Sequence, residues 1–114
     1  MESILSSIKV LLGSSVDDTH FDEAIIMHIN SQLSILNQLG IGPPKGFRIK
    51  DKTATWDDFI GDDLRLADVI QFVYIKVKLI FDPPASGAVI ASLDRSASEL
   101  EFRLPVAAEY KDPE

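Results

Sequence analysis

The sequence predicts an all-α protein built as a small bundle of about four helices. Apolar residues recur at three- and four-residue steps in several segments, and glycine or proline separates one such segment from the next. The chain has 114 residues, of which 46% are apolar, so it can bury the core of one domain. We predict one helical domain over residues 1–104 and an extended C-terminal tail over residues 105–114.

The first two helices are defined by single apolar stripes. The first stripe stops at Gly13 and contains Ile4, Leu5, Ile8, Leu11 and Leu12. The second helix is predicted over residues 21–39, with Thr19 and Asp22 in a capping-box arrangement at its start. Its stripe contains Phe21, Ile25, Ile29, Leu33, Leu36 and Leu39. Two glycines and a Pro-Pro pair follow and end the helix.

Residues 41–62 form a long connection between the second and third main helices, which compact domains seldom keep without a use. Phe47 and Ile49 stand at strand spacing, which allows a short two-stranded ribbon. Residues 56–60 are predicted to form one helical turn capped by Thr55. We therefore expect a partly ordered loop that packs on another surface.

The third main segment, residues 63–81, has features of both a strand and a helix. Residues 73–79 alternate as a strand would, but the unbroken run is much longer than the usual strand of about 5–6 residues. Lys76 and Lys78 stand near its end, where a helix dipole favours positive charge. We predict a helix that is apolar on more than one side, and such a helix is either central in the fold or buried between subunits.

A fourth helix follows the break at Asp82-Pro83-Pro84. Ser86 is predicted to cap it, and Pro105 is predicted to end it. Its apolar stripe is Val89, Leu93, Ala97, Leu100 and Leu104.

Charge and composition exclude several classes of protein. Eighteen acidic residues against eleven basic ones give a net charge of −7, which argues against sequence-reading DNA binding. The chain has no cysteine, so disulfides and cysteine-ligated zinc are excluded. The N-terminus lacks the basic start of a secretory signal, and no segment offers the ~20 apolar residues of a membrane span. We expect a protein that folds in the cytosol and does not contact membranes.

No catalytic or metal-binding pattern stands out. His20 and His28 are eight residues apart with no third ligand at metal-site spacing. Two acidic clusters could hold a cation in principle, but the second lacks the spacing of a calcium loop, and capping of helices explains both more simply. The clusters are Asp17, Asp18, Asp22 and Glu23, and then Asp57, Asp58, Asp62 and Asp63. We predict a non-enzymatic protein that needs no cofactor and no metal ion.

Aromatic and large apolar residues of the connection and of the third helix are predicted to contact a neighbouring subunit, because such residues anchor protein–protein interfaces. These residues are Phe47, Ile49, Trp56, Phe59 and Tyr74. The alternative is that the residues of the connection fold back and complete the core of their own chain, and the sequence leaves both open.

Three segments together resemble a known family. They are D-x-x-F-D-x-x-I-x-x-x-I-N over residues 18–30, T-W-D-D-F over residues 55–59 and F-D-P-P over residues 81–84. With the order of helices around them, the chain resembles the head–tail connector, or adaptor, proteins of long-tailed bacteriophages over residues 1–104.

The resemblance implies an all-α subunit of a ring beneath the portal, with DNA passing through without sequence-specific binding. The ring would bind the portal and a neck or tail-completion protein, in the virion after assembly in the host cytoplasm. By position, the portal-facing tail would include Leu104, Val106 and Tyr110. One alternative is a small acidic intracellular helical adaptor or inhibitor, for instance from a prophage. Another is an enzyme with an acidic metal centre at residues 57–63.

Overall fold

The computed structural model describes residues 2–61 and 63–109, and this part of the chain is helical with no strand. The five helices are α1 (Ile4–Leu11), α2 (Asp22–Gln38), α3 (Trp56–Ile60), α4 (Leu66–Phe81) and α5 (Gly87–Glu109). The all-α prediction is confirmed, and α3 is the predicted helical turn in the long connection.

Helix α4 lies at the centre of the fold. It packs against α2, α5 and α1, whereas α5 packs chiefly on α4. Its buried residues occupy more than one side of the helix, and they are Val69, Phe72, Val73, Ile75 and Val77. The sequence did not decide whether this helix is central in the fold or buried between subunits. The structure places it in the interior of a single chain.

The apolar stripes predicted for the other helices form most of the remaining core. The buried residues are Ile4, Leu5 and Ile8 of α1, Ile25, Ile29, Leu33 and Leu36 of α2, and Ala97, Leu100 and Leu104 of α5. Three predicted stripe residues are exposed instead: Leu11 is the last residue of α1, Phe21 precedes α2, and Val89 lies in the first turn of α5.

The predicted capping box at the start of α2 is wrong. The residue at the N-cap is Phe21, and no side chain caps the helix. Thr19 contributes its backbone carbonyl, which accepts from Asp22 N at 3.2 Å. The Asp22 carboxylate is instead 2.7 Å from Lys9 Nζ, so an ion pair to α1 takes the place of the local cap.

The predicted ribbon is also wrong, since the described residues of the connection form no strand. The one bridge in the described part of the chain joins Thr55 to Ser3, at the N-terminal end of α1. The predicted cap of α3 is confirmed, with Thr55 and Asp58 in a reciprocal capping box. Trp56 Nε1 donates to Ser7 Oγ at 2.8 Å, so the connection is attached to α1 rather than to a second strand.

The end of the last helix differs from the prediction. Ser86 does cap α5, with Ser86 Oγ accepting from Val89 N at 3.3 Å. Pro105 does not end the helix, which continues to Glu109. A proline inside a helix loses the backbone bond to the carbonyl four residues earlier, but the rest of the helix retains its bonds. The division into a domain over residues 1–104 and a tail over residues 105–114 stays a prediction.

Gly42 is required by both backbone and space. Its φ is +90°, and a Cβ at this position would lie 2.4 Å from Phe59 Cε1. Gly40 has a similar φ of +85° with nothing within 4 Å of the same added atom. We expect Gly40→Ala to lower the free energy of unfolding by about 1–2 kcal/mol through backbone strain alone.

Gly42→Ala should cost about 1–3 kcal/mol more than Gly40→Ala, because the added methyl group overpacks Phe59. Urea denaturation of both variants measures the difference directly. Equal losses in the two variants would show that Phe59 moves aside at no cost.

Candidate interaction surfaces

An open groove of about 760 Å³ runs between α2 and the following loop. Its α2 wall includes Ile26, Met27 and Asn30, and its loop wall is residues 45–49. Met27 is 59% exposed, which is unusual for a large apolar residue beside a groove. The Phe47 ring packs on Phe59 with centroids 5.3 Å apart, so the loop wall is supported from the core side.

Two asparagines of α2 hold the loop in place. Asn30 Nδ2 donates to Ile49 O at 3.0 Å, and Ile49 N donates to Asn30 Oδ1 at 2.8 Å. Two turns later, Asn37 Nδ2 donates to Pro43 O at 2.9 Å. A side-chain amide thus satisfies both backbone groups of Ile49, as a neighbouring strand would.

Removing the Asn30 amide is expected to release the loop. Asn30→Ala leaves two backbone groups of Ile49 without their partners and should cost about 1–3 kcal/mol. The loop carries four trypsin sites, so we expect faster cleavage within residues 45–52 in a time course followed by mass spectrometry.

Ser31→Ala is the matched control, because Ser31 is an exposed neighbour on the same helix. Cleavage of Asn30→Ala at the wild-type rate would mean that the amide does not fix the loop.

The loop of the groove is basic in an acidic protein. Four basic residues and Asp51 give residues 45–52 a net charge of +3. Because the whole chain has a net charge of −7, the remaining residues together carry −10. The hydroxyl and backbone N–H of Thr53 donate to Asp51 and lower the pKa of its carboxyl group, and Lys50 and Lys52 lower it further. The basic residues Lys45, Arg48, Lys50 and Lys52 are exposed. We call residues 45–52 the basic loop.

Aromatic rings cluster where α2 begins and α4 ends. The Phe21 ring meets the Phe81 ring edge to face, with centroids 5.6 Å apart. His20 packs on Phe21 at 4.7 Å, and His28 lies 6.4 Å from Phe81. Both histidines therefore belong to an aromatic surface cluster. Among the described residues, no group of three or more histidine, cysteine, aspartate or glutamate side chains could hold a metal ion.

The outer face of α5 carries a second exposed aromatic residue. Phe102 is 72% exposed and lies off the buried stripe formed by Ala97, Leu100 and Leu104. Glu99 lies three residues before it, and Glu101 and Arg103 are its neighbours in the chain; all three are exposed. Phe102 is an exposed aromatic residue among charged side chains, and aromatic residues often anchor protein–protein contacts.

The sequence-predicted contact residues divide into two groups. Ile49, Trp56 and Phe59 are buried in the core of their own chain, as the fold-back alternative describes. Phe47 and Tyr74 are half-buried, so part of each side chain is exposed. The role of all five residues at a subunit interface stays a prediction.

The predicted portal-facing residues lie at the end of the described chain. Leu104 is buried on the α5 stripe. The side chain of Val106 and all of Tyr110 lie outside the described part. Their role in portal binding also stays a prediction.

Met27, Phe102 and the basic loop were not predicted from the sequence as surface features. Two signals were present in the sequence. Phe102 stands two residues after Leu100 and so falls outside the stripe, and the basic loop holds four of the eleven basic residues in eight positions. The groove itself has no sequence signal, because it depends on how the loop lies against α2.

The fold and these surfaces define a class: a small all-α protein whose exposed features suit contact with other proteins. The sequence model of the family described as "Phage connector protein" matches residues 4–111, and the chain belongs to that family. It is therefore a structural connector protein of a bacteriophage, which confirms the resemblance. No curated protein sequence and no solved structure is significantly similar to the chain. None of the described helices has the length and apolar character that crossing a membrane would require.

Proposed function

We propose that the chain is one subunit of a ring at the head–tail junction of the phage particle. In this proposal the ring binds the portal protein on one side and a neck or tail-completion protein on the other. The match of nearly the whole chain to the phage connector family carries the proposal. The small adaptor or inhibitor alternative gains no support from that match.

DNA passage through the ring is part of the proposal and is supported by charge. A net charge of −7 in each chain multiplies when copies assemble. A predominantly acidic ring repels the phosphate backbone, so a duplex can pass without being held. We propose no catalytic step for this protein.

The portal contact is assigned to the C-terminal end of the chain, after Leu104. Leu104 is buried against the rest of the fold, so the proposed contact segment begins beyond it. Val106 and Tyr110 are the large apolar residues of this segment and the proposed anchors.

Size-exclusion chromatography with light scattering tests the proposal, with the chain alone and then with its purified portal protein. We expect a ring-sized species alone, or co-elution of several copies with the portal. The double variant Val106→Ser and Tyr110→Ser should bind the portal at least about tenfold more weakly, because it loses both anchors. Ala107→Ser with Ala108→Ser is the matched control. If the chain stays monomeric and does not bind the portal at any concentration, the proposal is contradicted.

A further inference from the structure

On the basis of the proposed ring, we propose that Phe102 of each copy binds the α2 groove of the next copy. Glu99 and Glu101 beside it would then face Lys45 and Arg48 on the loop wall of that groove. The occupant of the groove is therefore a second copy of this chain, and its contact residues come from α5.

Among the side chains that the structure describes, none covers Phe102. It is 72% exposed on a helix whose apolar stripe already packs on α4. Burying a phenylalanine ring at an interface is strongly favourable, and such residues often anchor protein–protein contacts. The exposure of Phe102 is thus explained if a neighbouring subunit covers it.

The groove offers a suitable environment for this ring. Met27, Ile26 and Phe47 supply apolar surface, and Lys45 and Arg48 supply positive charge. Methionine adapts to the shape of an aromatic partner and makes favourable sulfur–ring contacts. The groove is therefore apolar at one part of its wall and basic at another, which matches a phenylalanine with Glu99 and Glu101 on its N-terminal side.

Charge complementarity favours another copy as the occupant. The basic loop carries +3, and the remainder of the chain carries −10, so any other copy offers a largely acidic surface. Glu23, the acidic residue among those lining the groove, has a counterpart in Arg95. Arg95 precedes Phe102 by two helical turns and therefore lies on the same face of α5. Opposite charges on both patches would fix the register of the contact.

The positions of the two patches favour an intermolecular contact. Among the side chains that the structure describes, none of α4 or α5 lines the groove. Helix α4 packs against both α2 and α5, and so separates the groove-bearing helix from the helix that carries Phe102. Two different, complementary patches on one chain form a head-to-tail contact, and repeated contacts of this kind close into a ring when the rotation between neighbouring copies completes a full turn.

Charge reversal on each patch tests the pairing. We expect Lys45→Glu with Arg48→Glu to weaken assembly at least about tenfold, and Glu99→Lys with Glu101→Lys to do the same. The chain with all four substitutions should recover assembly, because both patches are reversed together. Assembly is measured by light scattering, alone and on the portal, and circular dichroism verifies that each variant is folded.

Cysteine cross-linking provides a second measurement, since the natural chain has no cysteine. Glu99 takes the place of Phe102 in this test, so that the phenylalanine ring stays available to the groove. A variant with both Lys45→Cys and Glu99→Cys should form covalent ladders of several copies under mild oxidation, and mass spectrometry should identify the disulfide between residues 45 and 99 of different copies. Ladders that contain only 45–45 and 99–99 disulfides would contradict the pairing.

Each contrary outcome has a definite meaning. If wild type assembles and the one-sided reversals assemble equally well, the pairing is wrong while the ring remains. If Lys45→Glu with Arg48→Glu assembles normally but loses binding to duplex DNA or to the portal, that partner occupies the basic loop and the pairing is wrong. If the wild-type chain assembles neither alone nor on the portal, both the proposed ring and the proposed pairing are wrong.

Discussion

Replacing Lys9 with methionine is expected to destabilise the protein by about 3–5 kcal/mol, the cost of breaking a buried ion pair from one side. Lys9 is almost fully buried, and its Nζ lies 2.7 Å from Asp22 Oδ1. The same Nζ donates to Asp18 O at 2.7 Å and to Val16 O at 3.2 Å. All three contacts link α1 to the segment that leads into α2.

The cost arises because the partners of Lys9 stay where they are. Methionine fills much of the same volume, but the Asp22 carboxylate and two carbonyl groups lose their donor. The Asp22 side chain is 24% exposed, so water can hydrogen-bond to its carboxylate in the variant. We therefore expect a destabilisation near about 3 kcal/mol, the lower limit of the range.

Urea denaturation measures the effect, with Lys78→Met as the matched control. Lys78 makes an exposed ion pair to Asp82 at 3.5 Å, and its loss should cost less than about 1 kcal/mol. Surface substitutions usually change the free energy of unfolding by no more than about 0.5 kcal/mol. If Lys9→Met and Lys78→Met differ by less than that, the buried ammonium group contributes little to stability.

Replacing Trp56 with alanine should cost about 3–5 kcal/mol, the range for truncating a large aromatic side chain in a core. Trp56 is 2% exposed and begins α3. Its Nε1 donates to Ser7 Oγ, and Ser7 Oγ donates in turn to Ile4 O at 3.0 Å. The side chain therefore joins the connection to α1 by packing and by a hydrogen-bond chain.

Thermal unfolding followed by circular dichroism is the measurement, since Trp56 is the one tryptophan and the variant has no tryptophan fluorescence. Leu64→Ala is the control, because Leu64 is fully exposed and takes no part in the proposed contact between copies, and its loss should stay within about 0.5 kcal/mol. Equal melting temperatures for Trp56→Ala and Leu64→Ala would contradict the structural role of Trp56.

The helices were predictable because their signals are local. The stripes of α1, α2 and α5 repeat at helical spacing, and Thr55 with Asp58 forms a cap within a single turn. The central position of α4 was left open, because an apolar run shows burial but not the identity of the covering surface.

The errors arose where a distant residue replaced a local interaction. The capping box predicted from Thr19 did not form, because the Asp22 carboxylate pairs with Lys9 on another helix. The ribbon predicted around Ile49 did not form, because Asn30 satisfies the backbone groups that a second strand would have bonded. Neither partner could be chosen from sequence spacing alone.

The candidate surfaces were predictable only in part. The sequence indicated that the connection packs on another surface, but it did not show that Ile49, Trp56 and Phe59 enter their own core. The basic loop was visible as charge, yet its place beside a groove depends on the two asparagines of α2. The family was predictable from whole-chain pattern, and the match over residues 4–111 confirms it.

The central claim is that this protein joins the phage head to the tail, and disrupting its gene in the phage genome tests that claim most directly. Electron microscopy of the resulting lysate should show heads and separate tails in place of complete particles, and a plasmid copy of the wild-type gene should restore complete virions. Intact tailed particles in the absence of the protein would contradict the account.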